Sequence, residues 1–213
     1  NLFAYRHDVL KGLIAQGVHL VVLGRGECLR DLPEFRGTLH TASADDLRFL
    51  DYDPVRKLMV VPEENVLALP GDPFAGECVT IGAFARAMHA VLGQRPVDPA
   101  FEGKAEHQQY ELGVRRMDVR FDRELKAAFA QASRKGLWRG TPAAREPSAY
   151  WAAGLEAYFD ASGDGQAPVG AARPITTREG LRAHDPGLYR IVDETMAYRE
   201  HVDWRFMPGG GQR

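Results

Sequence analysis

Residues 81–93, IGAFARAMHAVLG, form the stretch that decides the fold. Small apolar residues in this run are typical of a buried helix, and its only polar side chains are Arg86 and His89. Gly93 is placed to end the helix, which we expect to span residues 77 to about 92. In a core helix, such a pair is often a snorkelling arginine and a hydrogen-bonded histidine, so a function for them needs further evidence.

The region before this helix predicts a small sheet. An amphipathic helix over residues 8–15 precedes an apolar β-type run over residues 18–23. KLMVVPEENVLAL, residues 57–69, contains two further apolar runs and is interpreted as a hairpin or as two strands broken by a loop. Asp72-Pro73 then provides either a turn or the N-cap of a helix.

The second half of the chain is charged and mostly helical. The predicted helices cover residues 118–135, 147–160, 178–183 and 186 to about 199. Helix-start signals are Asp98-Pro99, Asp185-Pro186, and Thr176 with Glu179 as a capping box. The sequence therefore predicts an α+β protein with a sheet-bearing first lobe, a central helix and a helical second lobe.

Composition limits the possible partners. The 213 residues carry a formal charge of −2, with 45% hydrophobic and 26% charged residues, which gives no electrostatic case for nucleic acid or an anionic membrane. No apolar run approaches the roughly 18 residues of a membrane span, so we expect a soluble chain without a transmembrane segment. Cys28 and Cys78 are too few for a thiolate zinc site and leave a single disulfide open. The start at Asn1 favours an exported chain, periplasmic or extracellular, over a cytoplasmic one.

Several short motifs do not complete a known site. Gly24-x-Gly26 is half of a dinucleotide fingerprint, but Leu29 stands at the third glycine position. DASGDG, residues 160–165, has calcium-loop spacing, but Ala171 stands where that loop needs a bidentate glutamate. Both segments are therefore interpreted as ordinary loops.

The aromatic residues after position 137 have two interpretations. Trp138, Tyr150 and Trp151 either pack in the core or form the wall of a cleft. His40, His89 and His107 are scattered, so only folding could bring them together as a zinc site.

Several separated segments resemble one protein family. They are ENVLALPGDPFAGECVTIGAFARAMH (64–89), KGLWRGTPA (135–143), AYWAAGLEAYFD (149–160), TREGLRAHDPGLY (177–189) and the later Trp204. In this order they are similar to the zincin-like metallopeptidase domains (gluzincins) related to the catalytic domain of anthrax lethal factor. The resemblance implies a two-lobed zincin-like fold: one domain over residues 1–205, lobes of about 1–93 and 94–205, and a flexible tail over 206–213.

In that family the central helix carries H-E-F-x-H. Two histidines on one helical face hold Zn²⁺, and the glutamate between them acts as general base. Aligned with this motif, the chain has Gly82 and Arg86 at the histidine positions and Ala83 at the glutamate position. None of the three can perform the family's chemistry, and a guanidinium would repel a dication.

The other family positions are also substituted. On the second helix, the resemblance places Ala149 where the third zinc ligand would be and Ala153 at a supporting acid. Pro142 stands at the tyrosine that can stabilise an oxyanion. We therefore expect no catalytic residue, no metal and no cofactor. In this alignment His89 lies past the ligands and is expected to pack or form a hydrogen bond.

The resemblance thus predicts a degenerate metallopeptidase, a pseudoenzyme kept for binding or assembly. Its cleft would bind a protein or peptide, and the chain would be an accessory subunit of a larger complex. We expect Glu156 to be the acid that neutralises Arg86. The candidate cleft residues are Arg86, His89, Trp138, Tyr150, Trp151 and Glu156.

Three alternatives stay open at this level. A zinc peptidase could use His40, His89 and His107 as an unconventional ligand set. A metal-free enzyme could use Arg86, His89 and Tyr150 on an anionic substrate. The domain could also be purely structural, with its former cleft filled by a neighbouring segment.

Overall fold

The computed structural model describes residues 2–36, 47–74, 77–94, 117, 119–161 and 175–196. Helix α1, His7–Ala15, buries Val9 and Leu13 and leads into strand β1, His19–Leu23. Gly17 lies between them with a φ of 74°, a conformation that glycine adopts without strain. The predicted helix followed by a strand is confirmed.

Within the described residues, the sheet has three strands in the order β1-β3-β2. Strand β3, Leu58–Pro62, is parallel to β1 and antiparallel to β2, Leu50–Asp53. All five residues of β3 are buried, which explains its continuous apolar run. Among the strands that the structure describes, β2 lies at one edge of the sheet.

Both predicted arrangements around Pro62, a hairpin and two strands broken by a loop, are wrong. The second strand precedes β3, and helix α2, Glu63–Val66, follows it. Two carboxylates hold this short helix: Glu63 Oε1 accepts a hydrogen bond from the Arg25 amide at 2.7 Å, and Glu64 pairs with Arg48 at 2.7 Å. These contacts join residues that are distant in sequence, so the local apolar pattern does not reveal them.

The central helix α3, Val79–Met88, starts two residues after the predicted start. It continues as a π-helical turn, His89–Gly93. Asp72 does not cap it, because Asp72 Oδ1 accepts from the Phe74 amide at 2.9 Å in a separate turn.

Four further helices match the predicted positions, within about two residues where both ends are described: α4 (Val119–Lys135), α5 (Pro147–Tyr158), α6 (Arg178–His184) and α7 (Pro186–Met196). Asp185 caps α7, since its Oδ1 accepts from the Leu188 amide at 3.1 Å. The cap of α6 is Thr177, whose hydroxyl accepts from the Gly180 amide, and not Thr176 as predicted. Asp98-Pro99, Trp204 and the tail lie outside the described residues.

A single apolar cluster joins α1, β3 and α3 to the four later helices. A second cluster contains Leu23, Leu29, Phe35, Leu58 and Val60. The described chain is thus a mixture of helices and a small sheet, compatible with the predicted α+β class. None of its described helices has the length and apolarity needed to cross a membrane.

Candidate binding cleft

A cleft of about 220 Å³ lies beside the packed helices α3 and α5. Phe49 and Asp51, at strand β2, contribute to its lining, and so does the segment from Trp138 to Ala143. The cleft therefore brings together the sheet, the central helix and the helical half of the chain.

The cleft gathers most of the positions that the family resemblance singled out. Its lining includes Gly82, Arg86, Pro142, Ala149 and Ala153. Ala83, at the general-base position, is fully buried and does not line the cleft. Positions from α3, α5 and the segment before α5 thus converge at one cleft, although Gly82 and Ala153 are 71 residues apart in the sequence.

Arg86 forms an ion pair within this cleft. Its Nη1 lies 2.9 Å from Asp51 Oδ2 on strand β2. The Arg86 side chain is 25% exposed and that of Asp51 35%, so the pair is partly shielded from water. Burial raises the pKa of the Asp51 carboxyl above its usual value, although the charge of Arg86 opposes that rise. Our choice of Glu156 as the neutralising acid therefore missed Asp51.

Glu156 occupies the space next to Gly82. A Cβ added at Gly82 would lie 2.4 Å from Glu156 Oε1 and 3.6 Å from Arg86 Nη1. Because glycine has no side chain, the carboxylate can approach the helix backbone here. The space beside Gly82, which the sequence alignment assigns to a histidine, is thus filled by the end of a glutamate.

Trp138 forms one wall of the cleft, and a hydrogen bond to Asp185 fixes its indole ring. The buried Asp185 carboxylate accepts hydrogen bonds from Trp138 Nε1 at 3.0 Å and from the Tyr150 hydroxyl at 2.7 Å. Burial and the hydrogen bond to Asp185 raise the pKa of the Tyr150 hydroxyl far above its usual range. Tyr150 is therefore a neutral donor that helps to position the wall.

Three of the six candidate cleft residues do not line the cleft. His89 is buried, and its Nε2 lies 2.9 Å from Asp122 Oδ1 on α4, so it forms the hydrogen bond expected of it. Tyr150 and Trp151 are fully buried, and Trp151 packs edge-on against Phe121 at a centroid distance of 5.0 Å. Arg86, Trp138 and Glu156 do line the cleft. Helix α5 is buried on most sides, which explains why its residues Tyr150 and Trp151 lie in the core.

The residues present do not fit the zinc ion of the family. Gly82 and Ala149 offer no ligand atom, and Arg86 brings a positive charge. Within the described ranges, no group of three or more His, Cys, Asp or Glu residues is arranged to hold a metal. Of the alternative histidine set, His40 and His107 lie outside the described residues.

The alternative metal-free site is not assembled either. Arg86 lines the cleft, whereas His89 faces Asp122 and Tyr150 faces Asp185. These three side chains therefore do not share one reaction space.

The two cysteines and the glycine loop have structural explanations. Cys28 and Cys78 are both free thiols, and burial raises the pKa of each. In the Gly24-x-Gly26 loop, the Gly24 amide donates to Glu27 Oε2 at 2.7 Å, while the next amide donates to Glu63. The protein's own carboxylates thus take the amides that a phosphate would need.

Comparison with known proteins found no match to this chain among protein-family models, curated proteins or solved structures.

Sequence reasoning missed several residues of the cleft, and three of them shape its side at the sheet. Phe49, Asp51 and Phe74 line it, and the rings of Phe49 and Phe74 pack at a centroid distance of 5.2 Å. Phe74 lies within the PGDPFAGE turn before α3, which was treated only as a connection. The alternating pattern of LDYD in β2 was the available signal for Asp51, but four residues are too short to stand out.

Proposed function

We propose that this chain is a two-lobed, zincin-like pseudoenzyme that binds a peptide or protein segment in its cleft without hydrolysing it. The convergence of Gly82, Arg86, Pro142, Ala149 and Ala153 at one cleft carries the proposal. The family alignment was made on sequence segments alone, so this clustering is an independent observation in its favour.

The lining explains why the cleft would bind and not cut. Peptide hydrolysis in this family needs a metal-bound water and a general base. Gly82, Ala149 and Ala83 have no group that could hold or deprotonate water, and Arg86 is paired with Asp51. The apolar and aromatic walls keep a concave surface that can still exclude water from a ligand.

Strand β2 supplies a way to hold an extended segment. It is an edge strand and contributes Asp51 to the cleft. Its outer backbone groups could pair with an added strand, which is a common mode of peptide recognition. In this account the chain is an accessory subunit whose partner inserts an extended segment beside β2.

A peptide-selection experiment tests the proposal. The wild-type protein is incubated with a pool of short random-sequence peptides, and mass spectrometry identifies both the peptides retained and any cleavage products. We expect retained, intact peptides, with and without added zinc.

A matched pair of variants locates the binding. Ala153→Phe fills the cleft, whereas Ala127→Phe adds the same ring at an exposed position of α4. We expect the first to abolish retention and the second to leave it unchanged, with circular dichroism confirming that both fold. Zinc-dependent cleavage, an absence of retained peptides, or equal retention by the two variants would contradict the proposal.

A further inference from the structure

A second cavity, of about 180 Å³, lies where helix α4 ends. Its lining comes from the C-terminal part of α4, the loop that follows and the 3₁₀ turn Pro142–Ala144, so it is built within residues 129–144. Trp138 and Ala143 line both this cavity and the cleft, which makes the two spaces neighbours. None of the positions that the family resemblance singled out is among its described lining residues.

Apolar and aromatic side chains form most of the walls. Phe129 and Trp138 contribute rings, and three alanines contribute methyl groups, at positions 132, 143 and 144. The indole N–H of Trp138 donates to Asp185, so Trp138 offers ring carbons to the cavity. A cavity of about 150 Å³ with apolar walls is enough to hold one benzene ring. This cavity therefore has room for a single ring with a small substituent.

Arg139 places a guanidinium at the same cavity. A Cβ added at Gly136 would lie 3.6 Å from Arg139 Nη2 and 3.8 Å from Cζ, so the guanidinium rests against this glycine. Gly136 has a φ of 67°, which favours glycine and leaves that space open. In the part of the chain that the structure describes, Arg139 forms no ion pair. Asp185, the acid that contacts Trp138, is buried and does not line the cavity.

The sequence around Arg139 is basic. Arg134, Lys135 and Arg145 are chain neighbours of lining residues, and positions 127–145 contain no acidic residue. Arg134 and Lys135 lie in the last turn of α4, where they offset the partial negative charge of the helix end. The charge of Arg139 is therefore left to attract an anion.

We propose that this cavity is a second binding site, for a small aromatic carboxylic acid. The ring of the ligand packs against Phe129 and Trp138. Its carboxylate pairs with the guanidinium of Arg139, whose planar fork matches the two carboxylate oxygens. This site goes beyond the peptide binding proposed above and does not depend on it.

Three small probes test the assignment. They are phenylacetate, its neutral analogue phenylacetamide, and acetate, which lacks the ring. Each is titrated into isotope-labelled protein, and the NMR shifts of backbone amides give both the dissociation constant and the place of binding. We expect phenylacetate to bind at least about threefold more tightly than phenylacetamide, with shifts centred on residues 129–144. The difference should shrink at high salt, and acetate should show no saturable binding.

Two pairs of variants locate the contacts. Arg139→Gln should remove the preference for phenylacetate over phenylacetamide, while Arg123→Gln, at an exposed position earlier on α4, should leave it unchanged. Ala144→Phe should fill the cavity and abolish binding of both ring probes, whereas Ala127→Phe, outside the cavity, should not. Circular dichroism checks that each variant folds.

Several results would overturn the assignment. They are an absence of saturable binding by phenylacetate, equal affinity for the acid and the amide, a preference that survives Arg139→Gln, and acetate binding as tight as that of phenylacetate. Shifts centred outside residues 129–144 would do the same. Because the cleft and its peptide are tested separately, any of these results would leave the proposed function intact.

Discussion

Arg86 of the central helix and Asp51 of strand β2 face each other across a 2.9 Å ion pair. The contact links the sheet to α3 beside the cleft. It also places a positive charge at a position that the sequence alignment assigns to a zinc-binding histidine. The pair thus has two effects in this account: it ties two elements together, and it makes the site unsuited to zinc.

The variant Arg86→Met should destabilise the protein in a pH-dependent way. Without the arginine, the Asp51 carboxylate would remain partly buried and lose its counter-charge, at a cost of about 1 kcal/mol at neutral pH after solvent screening. Burial already raises the pKa of Asp51 in the folded state above the pKa of about 4 that aspartate has in the unfolded chain. Ionisation of Asp51 therefore lowers the free energy of unfolding as the pH rises above about 4. Removing Arg86 should raise that pKa further.

Urea denaturation at neutral and acidic pH checks this prediction. The difference between wild type and Arg86→Met should be largest near neutral pH and should shrink as the pH falls and Asp51 becomes protonated. The double variant Arg86→Met/Asp51→Asn should recover most of the lost stability at neutral pH. A difference that is constant with pH would mean that the ion pair is not its source.

Two glycine substitutions should have different effects. In Gly82→Ala the new methyl group meets the flexible end of Glu156 at 2.4 Å, so the carboxylate can move away. In Gly154→Ala the methyl group meets Leu188 atoms at 2.8 Å in the fully buried contact between α5 and α7. In both variants, alanine stabilises the helix relative to glycine by a similar free energy, about 1 kcal/mol. We therefore expect Gly82→Ala to change stability by less than about 1 kcal/mol and Gly154→Ala to lose about 1 to 3 kcal/mol.

Thermal and urea unfolding of the two variants provide the comparison. A loss at Gly82→Ala as large as that at Gly154→Ala would show that Glu156 is held rigidly. That result would contradict the description of Glu156 as a side chain able to shift within the cleft.

The Asp185→Asn variant should loosen the Trp138 wall. Asp185 Oδ2 accepts hydrogen bonds from both Trp138 and Tyr150, and Oδ1 accepts one from the Leu188 amide. Asparagine has one side-chain oxygen for these two positions, so its NH₂ group would face at least one donor. We expect a loss of about 1 to 3 kcal/mol and weaker peptide binding.

Asp193→Asn is the matched control for that experiment. Asp193 also accepts from a tyrosine hydroxyl, that of Tyr158, at 2.6 Å, but it does not support the cleft wall. Denaturation and peptide titration should show a smaller loss of stability and unchanged binding. Equal binding losses in the two variants would argue against a specific role for the Trp138 wall.

The sequence predicted the helices well because their ends carry local signals. Pro147 and Pro186 stand at the first helical positions of α5 and α7, and the charged face of α4 has a clear helical period. The hairpin was misplaced because β2 is short and polar, whereas the run after Pro62 is apolar.

Side-chain positions in the cleft were harder to predict. Trp138 lines the cleft while Tyr150 is in the core, although both are aromatic and both bond to Asp185. Asp51, the ion-pair partner of Arg86, lies on a strand 35 residues upstream in the sequence, and the sequence reasoning had considered only Glu156 of α5. Such long-range contacts leave no periodic signal in a single sequence.

The most direct test of the account restores the missing zinc ligands. In the variant Gly82→His/Arg86→His/Ala149→Glu, the three positions that converge at the cleft would again offer two imidazoles and a carboxylate. The measurement is the zinc content per folded protein, determined after dialysis for the variant and the wild type. We predict close to one zinc per molecule in the variant and a negligible amount in the wild type. A folded variant that binds no more zinc than the wild type would contradict the claim that this cleft retains the frame of a metallopeptidase site.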